Sequence, residues 1–440
     1  MVRTARRSDM LSWGRVDRVP HHVAALSHAT EASDALAALG AEGRVLPVGL
    51  RRSYGDTVIN ASETLLDLSG ADRLLALDET EGLLTCEGGA SLDRILGTIV
   101  PRGWYLPTSP GTRFVTIGGA IANDVHGKNH HHAGTFGSAV TALTLARSDG
   151  SPQRLLPGDP LFGATVGGLG LTGAIVDATF RLAPIRSAYL NVTRTPYASV
   201  SEFFELAREA TGEHTVSWID CAHGGASLGR GIFQSADWCE DGELAPHERR
   251  GGPRLPVDAP GWALNGLTVR AFNALYHRLQ ARGAGRSRVH YAPFFYPLDA
   301  LREWNRLYGR RGFYQYQCVV PPAAAETAVT EMLRIITRSG AASFLAVLKT
   351  FGPRPSPGVL SFPFEGATLA LDFANRGPAT LELMARLDGV VREAQGRLYP
   401  AKDGRMPAAM FRQGFPGWER VEAARDPAII SDFWKRVAHR

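Results

Sequence analysis

The most informative stretch of this 440-residue chain is PTSPGTRFVTIGGAIANDVHGKNHHHAGTFG, residues 107–137. It contains six glycines, short β-branched runs and a cluster of histidines, and it has almost no helix-forming pattern. Glycine at this density lets backbone N–H groups approach a ligand closely and adopt positive φ angles. The stretch therefore predicts a ligand site built from main-chain amides, of the kind that a diphosphate requires. A glycine-rich turn cluster in a β-rich protein is the alternative interpretation of the same residues.

Length and composition set the broad class. A single core is not expected at 440 residues, so the sequence predicts two domains. Hydrophobic residues make up 44% and charged residues 21% of the chain, which is typical of a soluble globular enzyme. A run of about 18 apolar residues is absent from the sequence, so no membrane span is expected. The N-terminus lacks an apolar stretch and the four cysteines are scattered, which predicts a cytoplasmic protein without a disulfide framework.

The charge balance argues against nucleic acid as a partner. The net charge of +5 and the pI near 9.1 would permit that binding, but the basic residues are dispersed rather than clustered. Among 48 basic residues only four are lysines, at positions 128, 349, 402 and 435. A lysine supplies a compact ammonium that can lose its proton, which arginine cannot do.

The segment GGLGLTG, residues 167–173, satisfies the dinucleotide pattern GxGxxG. That motif requires a helix directly after it, with the helix N-terminus facing the pyrophosphate. The residues that follow, AIVDATFRLAP, alternate in the manner of a strand and end at Pro184. A Rossmann domain is therefore not predicted. The dipeptide Asp149-Gly150 predicts a hairpin.

The histidines are candidate metal ligands. His126 and His130 have the i,i+4 spacing of zinc helices, but Gly127 and Asn129 disfavour a helix and the glutamate of that motif is missing. No metal is predicted.

After Pro184 the pattern changes to longer strands and amphipathic helices. Helices are predicted over 199–212, 323–340 and 379–396, each ending in glycine. In the strand YQYQCVV, residues 314–320, the two glutamines share one face. Small and polar residues on such strands predict the roof of a site, with an edge sheet facing solvent as the alternative. Residues 240–262 are charged and rich in proline and glycine, which predicts a mobile surface loop that gates the site.

The ordered string GTR, IGGAIA and HGKNHH resembles the flavin-binding core of the vanillyl-alcohol-oxidase-type FAD oxidoreductases. Within that family the chain is most similar to the decaprenylphosphoryl-β-D-ribose 2′-oxidases, and the similarity covers roughly residues 11–435. The resemblance implies an α+β, two-domain VAO/PCMH-type FAD-binding fold with an antiparallel-sheet substrate (cap) domain. The expected division is an FAD-binding domain over 1–185, a substrate-binding domain over 186–396 and a return to the FAD-binding domain over 397–440.

The resemblance also implies the cofactor site. Tyr54 stands where several relatives tether the flavin through histidine, which predicts non-covalent FAD. Arg51 departs from the family, whose loop carries glycine there. The implied cofactor-binding residues are Gly49, Arg52, Ser53, Tyr54, Gly55, Asp56, Gly111, Thr112, Thr116, Ile117, Gly118, Gly119, Asn123, His126, Gly173, Ile175 and Tyr399.

The catalytic residues implied by the resemblance are Lys402, which orients a hydroxyl and stabilises negative charge on the reduced flavin, and secondarily His126 and Lys128. Whether Lys402 is a base or a cationic anchor stays open. The implied substrate-binding residues are Trp218, Gln315, Gln317, Lys349, Phe351, Thr368 and Ala370. Thr368 and Ala370 depart from the asparagine and cysteine of the family, which leaves the identity of the sugar open.

The expected reaction is oxidation of a secondary hydroxyl of a ribosyl or related sugar, as the first half of an epimerisation completed by a partner NAD(P)-dependent reductase. One alternative is an aldonolactone or alditol oxidase that acts on free polyols. The other is a flavin-binding partner protein without turnover.

Overall fold

The structure, a computed structural model, describes residues 2–248 and 252–439. Its strands form sheets of four, five, two and eight strands, with helices packed on them. The α+β class predicted from the sequence is confirmed.

The first part of the chain, up to Pro184, builds the three smaller sheets. Their orders are β1-β2-β4-β3, β5-β6-β10-β8-β9 and β11-β7. The strands are β1 (Ala5–Arg7), β2 (His21–Ala25), β3 (Val45–Val48), β4 (Thr64–Asp67), β5 (Leu74–Asp78), β6 (Leu83–Glu87), β7 (Trp104–Tyr105), β8 (Val140–Arg147), β9 (Gly150–Leu155), β10 (Ala174–Arg181) and β11 (Ala183–Pro184). The helices are α1 (Ala32–Glu42), α2 (Leu92–Ile99), α3 (Ile117–Ala122), α4 (His130–Ala133) and α5 (Pro160–Thr165).

Two local predictions in this part are confirmed. The chain turns at Asp149-Gly150, and β8 and β9 pair antiparallel with Arg147 opposite Gly150. The residues after the GxGxxG pattern form β10 instead of a helix. Because a strand leaves this glycine-rich segment, no helix N-terminus is available there to face a pyrophosphate.

The prediction that residues 107–137 lack helices is wrong. Residues Ile117–Ala122 form α3, and the Thr116 hydroxyl caps this helix by accepting a hydrogen bond from the Gly119 amide at 3.2 Å. Ile117 and Ile121 are fully buried in the core. Capping and burial therefore outweigh the low helix propensity of the two glycines.

The second part forms the eight-stranded antiparallel sheet, in the order β15-β12-β14-β13-β17-β18-β16-β19. Its strands are β12 (Tyr189–Tyr197), β13 (His214–Ile219), β14 (Gly231–Trp238), β15 (Gly285–His290), β16 (Phe313–Val320), β17 (Ala346–Phe351), β18 (Gly366–Ala374) and β19 (Arg397–Leu398). Its helices are α6 (Val200–Glu209), α7 (Gly266–Arg282), α8 (Tyr291–Phe295), α9 (Pro322–Ser339) and α10 (Pro378–Glu393).

The three helices predicted in this part are present as α6, α9 and α10. The Ser199 hydroxyl caps α6 as expected, but this helix ends at Glu209, before Gly212. Gly340 ends α9 in the left-handed conformation, with φ +68°. Helix α7, the 17-residue helix Gly266–Arg282, was not predicted.

The gating role predicted for residues 240–262 stays a prediction. Residues 249–251 of this segment lie outside the described part of the chain. Residues 240–248 and 252–262 contain neither helix nor strand apart from one isolated bridge, which pairs Arg254 with Arg302.

The last part of the chain returns to the first. It forms α11 (Ala408–Gly414), α12 (Trp418–Ala424) and α13 (Asp432–Ala438). Ile429 forms a parallel bridge with Val45 at the start of β3. Arg436 of α13 forms an ion pair with Asp56 at 2.8 Å. Strand β19 still pairs with β16, and the domain boundaries at 185 and 396 stay a prediction.

Two large apolar clusters hold the layers together. One joins α1, β3 and β4 to the helical side of the eight-stranded sheet, and the other joins α2, α3 and β10 to β12 and α8. Within residues 2–248 and 252–439, no helix is both long enough and apolar enough to cross a membrane.

Candidate active site

A cavity of about 740 Å³ lies between the glycine-rich stretch and the eight-stranded sheet. Residues of β3 and the loop after it, of residues 109–128 and of β16, β17 and β18 line it. A volume of this size suits a small molecule or a cofactor. The polar face of β16 therefore covers a site, and the alternative of a solvated edge sheet is excluded.

The loop after β3 presents unpaired amides to the cavity. Within the described residues, the backbone N–H groups of Leu50, Arg51, Arg52 and Ser53 donate to no protein acceptor. Such a run of free amides forms an anion-binding concavity. Gly49 is required at the start of this loop, because a Cβ atom there would lie 2.2 Å from the Thr116 hydroxyl oxygen.

Two arginines shape the same loop. Arg51 has φ +50°, a conformation that glycine adopts without strain, and its guanidinium lies 3.6 Å from the Asp67 carboxylate. Arg52 lies over the Trp13 ring at 4.4 Å. Burial lowers the pKa of Arg52 to about 10, although Asp299 opposes this shift. Arg52 stays cationic at neutral pH and lines the cavity, so it can balance an anionic group held by the free amides.

His126 lies at the centre of the polar side of the cavity. Its Nδ1 is 3.2 Å from Lys349 Nζ, and its Nε2 is 3.1 Å from the side-chain amide of Gln317. Burial, and then the charge of Lys349, hold the pKa of His126 well below its ordinary value. A neutral imidazole has one acceptor nitrogen and one N–H. In this arrangement the side-chain N–H of Gln317 donates to Nε2, so the proton of the neutral ring lies on Nδ1 and points to Lys349 Nζ, which accepts it as the free amine.

Three of the four lysines of the chain line this one cavity. Burial lowers the pKa of Lys128 to about 7 and that of Lys402 to about 8. Burial and the charge of Lys402 lower the pKa of Lys349 to about 7. Like charges enclosed together favour loss of a proton. A bound anionic ligand would raise these three pKa values again and so keep all three lysines charged.

Lys402 is held by an aromatic ring and faces a buried carboxyl group. Its Nζ lies 4.0 Å from the centre of the Tyr54 ring. Burial raises the pKa of Asp372 to about 7, while the Gln315 amide, which donates to Oδ1 at 2.6 Å, and Lys402 oppose that shift. Asp372 and Lys402 thus titrate in the same range, so a proton can be held by either group.

The substrate-side residues come from adjacent strands. In the sheet register Gln317 lies opposite Ala370 and Lys349 lies opposite Thr368. Trp218 of β13 lines the cavity and its indole N–H donates to the Phe344 carbonyl at 3.1 Å. The strands therefore bring Trp218, Gln317, Lys349 and Ala370 to one wall.

The structure brings most of the predicted site residues to the cavity wall. Those that line it are Gly49, Arg52, Ser53, Tyr54, Gly111, Thr112, Thr116, Gly118, Gly119, Asn123, His126, Lys128, Gly173, Ile175, Trp218, Gln315, Gln317, Lys349, Ala370, Tyr399 and Lys402.

Five predicted residues do not line it. Asp56 binds Arg436, and a Cβ atom on Gly55 would lie 1.7 Å from the Asp403 carbonyl oxygen. Ile117 is fully buried in the core, and Phe351 packs edge-on against His126 at 4.8 Å. The Thr368 hydroxyl lies behind Gln317, whose amide is 3.2 Å away. These side chains support the wall, since each contacts a residue that lines it or closes the loop behind it.

Sequence reasoning missed several lining residues. Phe272 and Tyr276 come from α7, and Asp299 and Trp304 follow α8. Asp299 accepts hydrogen bonds from the Thr112 hydroxyl and the Arg113 amide at 2.7 and 2.9 Å. The four-residue spacing of Phe272 and Tyr276 was the available signal, because such residues share a helix face.

The residues fit FAD. The free amides of the loop after β3 and the cation of Arg52 would hold a diphosphate. Residues of the glycine-rich stretch and Tyr399 line the same cavity. The neighbouring histidines are not arranged as metal ligands. The His130 ring packs against Phe351 at 4.5 Å, and His131 Nε2 lies 3.3 Å from the Gly212 carbonyl.

Comparisons with known proteins agree with this geometry. Residues 20–156 match the family model described as FAD binding domain. The chain is 35% identical to decaprenylphosphoryl-β-D-ribose oxidase of Mycolicibacterium smegmatis, over 97% of each chain. It is 22% identical to L-gulono-1,4-lactone dehydrogenase of Mycobacterium tuberculosis, over 92% of this chain and 93% of the other. It is 27% identical to alditol oxidase of a Streptomyces species, over 27% of this chain and 29% of the other.

Proposed function

Because this chain belongs to the vanillyl-alcohol-oxidase-type FAD oxidoreductases, which act on CH–OH groups, we propose that it oxidises a secondary hydroxyl of a ribosyl or related sugar to the keto sugar. Decaprenylphosphoryl-β-D-ribose oxidase is a relative over nearly the full length. The observation that carries the proposal is the enclosure of Lys128, Lys349 and Lys402 in one cavity with His126. Cations so placed complement a substrate that carries a phosphate.

The cofactor is FAD, and bound FAD supplies the hydride acceptor for the reaction. Tyr54 stands where a tethering histidine would be and has no ring nitrogen, so we propose that FAD is bound without a covalent link. The amides of Leu50–Ser53 and the guanidinium of Arg52 would hold its diphosphate. Tyr399, whose hydroxyl donates to the Asn123 carbonyl at 3.0 Å, forms part of the wall beside the reacting centre.

Lys402 orients the hydroxyl that is oxidised and stabilises negative charge that develops beside it. Its pKa of about 8 keeps the ammonium form dominant at neutral pH. A buried cation of this kind acts by electrostatic stabilisation and does not need to reorganise during the reaction. Asp372 faces Lys402 and can take up a proton, because burial raises its pKa to about 7.

His126 and Lys349 position each other in the cavity wall. His126 stays neutral, so its hydrogen bond with Lys349 adds no imidazolium charge to the site. Lys349 also donates to the Gly127 carbonyl at 3.2 Å, which fixes the position of its amino group. Lys128 lies over the Phe294 ring at 4.1 Å and supplies the third cation for the substrate phosphate.

Anaerobic titration of the purified FAD-bound protein tests the proposal. The panel is phosphodiester-linked ribosides, nucleosides and free polyols, and the readout is the flavin absorbance. Bleaching by the phosphodiester riboside and not by ribose is the expected result. Bleaching by polyols or lactones alone would favour the second candidate, a free-polyol or aldonolactone oxidase. Lack of bleaching by every member of the panel would contradict both.

The oxidation would be the first half of an epimerisation. Its keto product would then be reduced by a separate NAD(P)-dependent reductase. Mixing this protein, substrate, NAD(P)H and candidate reductases should yield a sugar of inverted configuration at the oxidised carbon. Recovery of the original sugar only would contradict an epimerisation.

A further inference from the structure

Helix α7 carries an apolar ridge on its solvent side. Leu267, Ala271, Leu275 and Leu279 are spaced four residues apart and so share one face. The leucines are 80%, 57% and 53% exposed in chain order. The solvent face of a helix in a globular protein normally carries polar residues. Trp262, just before the helix, is 76% exposed, so the apolar surface extends beyond the helix.

The surroundings of this ridge are positively charged. Residues 259–298 contain five arginines and neither aspartate nor glutamate. Within the described residues, no carboxylate lies within 4.0 Å of the guanidinium groups of Arg270, Arg278 and Arg282. Arg270 also lines a second cavity together with Arg334 and Arg338 of α9. The ridge therefore lies beside three arginines that have no carboxylate partner among the described residues, whereas Arg288 pairs with Asp241 and Glu243, and Arg334 pairs with Glu331.

The same helix reaches the active-site cavity from its other side. Phe272 and Tyr276 line that cavity, and their rings are stacked with centroids 5.9 Å apart. Tyr276 packs against Trp218 at 4.9 Å. Phe272 is 47% exposed, so it borders both the cavity and the apolar surface of the helix.

We propose that α7 and Trp262 form a docking surface for a membrane that contains anionic lipids. An apolar helix face flanked by arginines, with a tryptophan beside it, has the composition of a helix that lies in the plane of a bilayer surface. Arginines near an anionic leaflet add attraction. Docking would bring a lipid-linked sugar phosphate to the cavity, and only this purpose rests on the proposed function. Binding to the membrane itself needs neither substrate nor turnover.

Vesicle flotation of the FAD-bound protein without substrate tests this surface. We expect flotation with phosphatidylcholine vesicles that contain phosphatidylglycerol, and much less with phosphatidylcholine alone. The triple variant L267S/L275S/L279S should partition about a hundredfold more weakly. The variant R278Q/R282Q should partition roughly thirtyfold more weakly. The matched control is L75S/L156S, because both leucines are 49% exposed and lie far from α7 in the sequence.

The outcomes separate this proposal from the enzymatic one. Equal flotation of the triple variant and of the control would overturn it, as would binding to neither kind of vesicle. A dimer whose dissociation requires the triple substitution would overturn it too, by showing that a second copy covers the ridge. Retained flavin absorbance and thermal midpoint show that each variant is folded. Flotation without bleaching by any sugar would reject the proposed substrate and leave the docking surface standing.

Discussion

Replacing Lys402 by methionine removes one positive charge from the cavity while keeping a side chain of similar length. A unit charge about 4 Å from a developing charge contributes about 4 kcal/mol at an effective dielectric constant of 20. Since the charge that develops in the transition state is partial, we expect the substitution to raise the activation free energy by about 2 to 4 kcal/mol. This corresponds to a rate of flavin reduction about 30 to 1000 times lower than that of the wild type.

Anaerobic stopped-flow reduction of the bound flavin by substrate measures this rate directly. The matched control is Lys435→Met, because Lys435 is the lysine of this chain that does not line the cavity and instead binds Asn60 and Asp432. We expect the control to reduce at the wild-type rate. A Lys402→Met protein that retains FAD and is reduced within threefold of the wild-type rate would refute the electrostatic role.

Three further predictions concern other parts of the molecule. Because burial lowers the pKa of Lys402 to about 8 before substrate binds, its charge is lost as the pH rises through that value, so the second-order rate of flavin reduction at low substrate concentration should fall above about pH 8; a profile that stays flat to pH 9 would contradict this. Ala370→Cys should take up one adduct of a thiol reagent by intact mass, whereas the wild type, whose four cysteines are all buried, should take up none. Asp56→Ala should lower the free energy of unfolding by about 3 kcal/mol, measured in urea, because it leaves Arg436 partly unpaired; an unchanged midpoint would show that this pair contributes nothing.

The sequence predicted those elements whose signals are local. The serine before α6 and the glycine after α9 act as caps, so the helices could be placed from their end residues. Alternation in β16 correctly assigned Gln315 and Gln317 to one face. Such features depend on neighbours along the chain and need no knowledge of the fold.

The elements that were missed depend on contacts between distant parts. Helix α3 is stabilised by the Thr116 cap and by burial of Ile117 against β10, neither of which the glycine-rich sequence reveals. Helix α7 escaped prediction because its exposed face is as apolar as its buried one, so the usual period is weak. A pattern rule cannot tell an apolar face that meets the core from one that meets another surface.

The resemblance predicted the residues that line the cavity better than it predicted those that lie behind the wall. Asp56 lies next to Thr57, which lines the cavity, yet its side chain points to Arg436. Thr368 shares a strand face with the lining residue Ala370, but its hydroxyl lies behind Gln317. One residue of displacement along a strand or turn reverses the direction of a side chain. Sequence position therefore identifies the segment, while the direction of each side chain comes only from the packed structure.

The closing of the chain on itself has a consequence for biosynthesis. Residues of the last part of the chain stabilise β3 and the loop after it, which presents its amides to the cavity. Arg436 forms an ion pair with Asp56, and Ile429 forms a parallel bridge with Val45; together these contacts brace the loop. A nascent polypeptide cannot complete that brace until α13 has left the ribosome. Flavin loading should therefore follow the emergence of α13, and a fragment that stops short of this helix should be colourless.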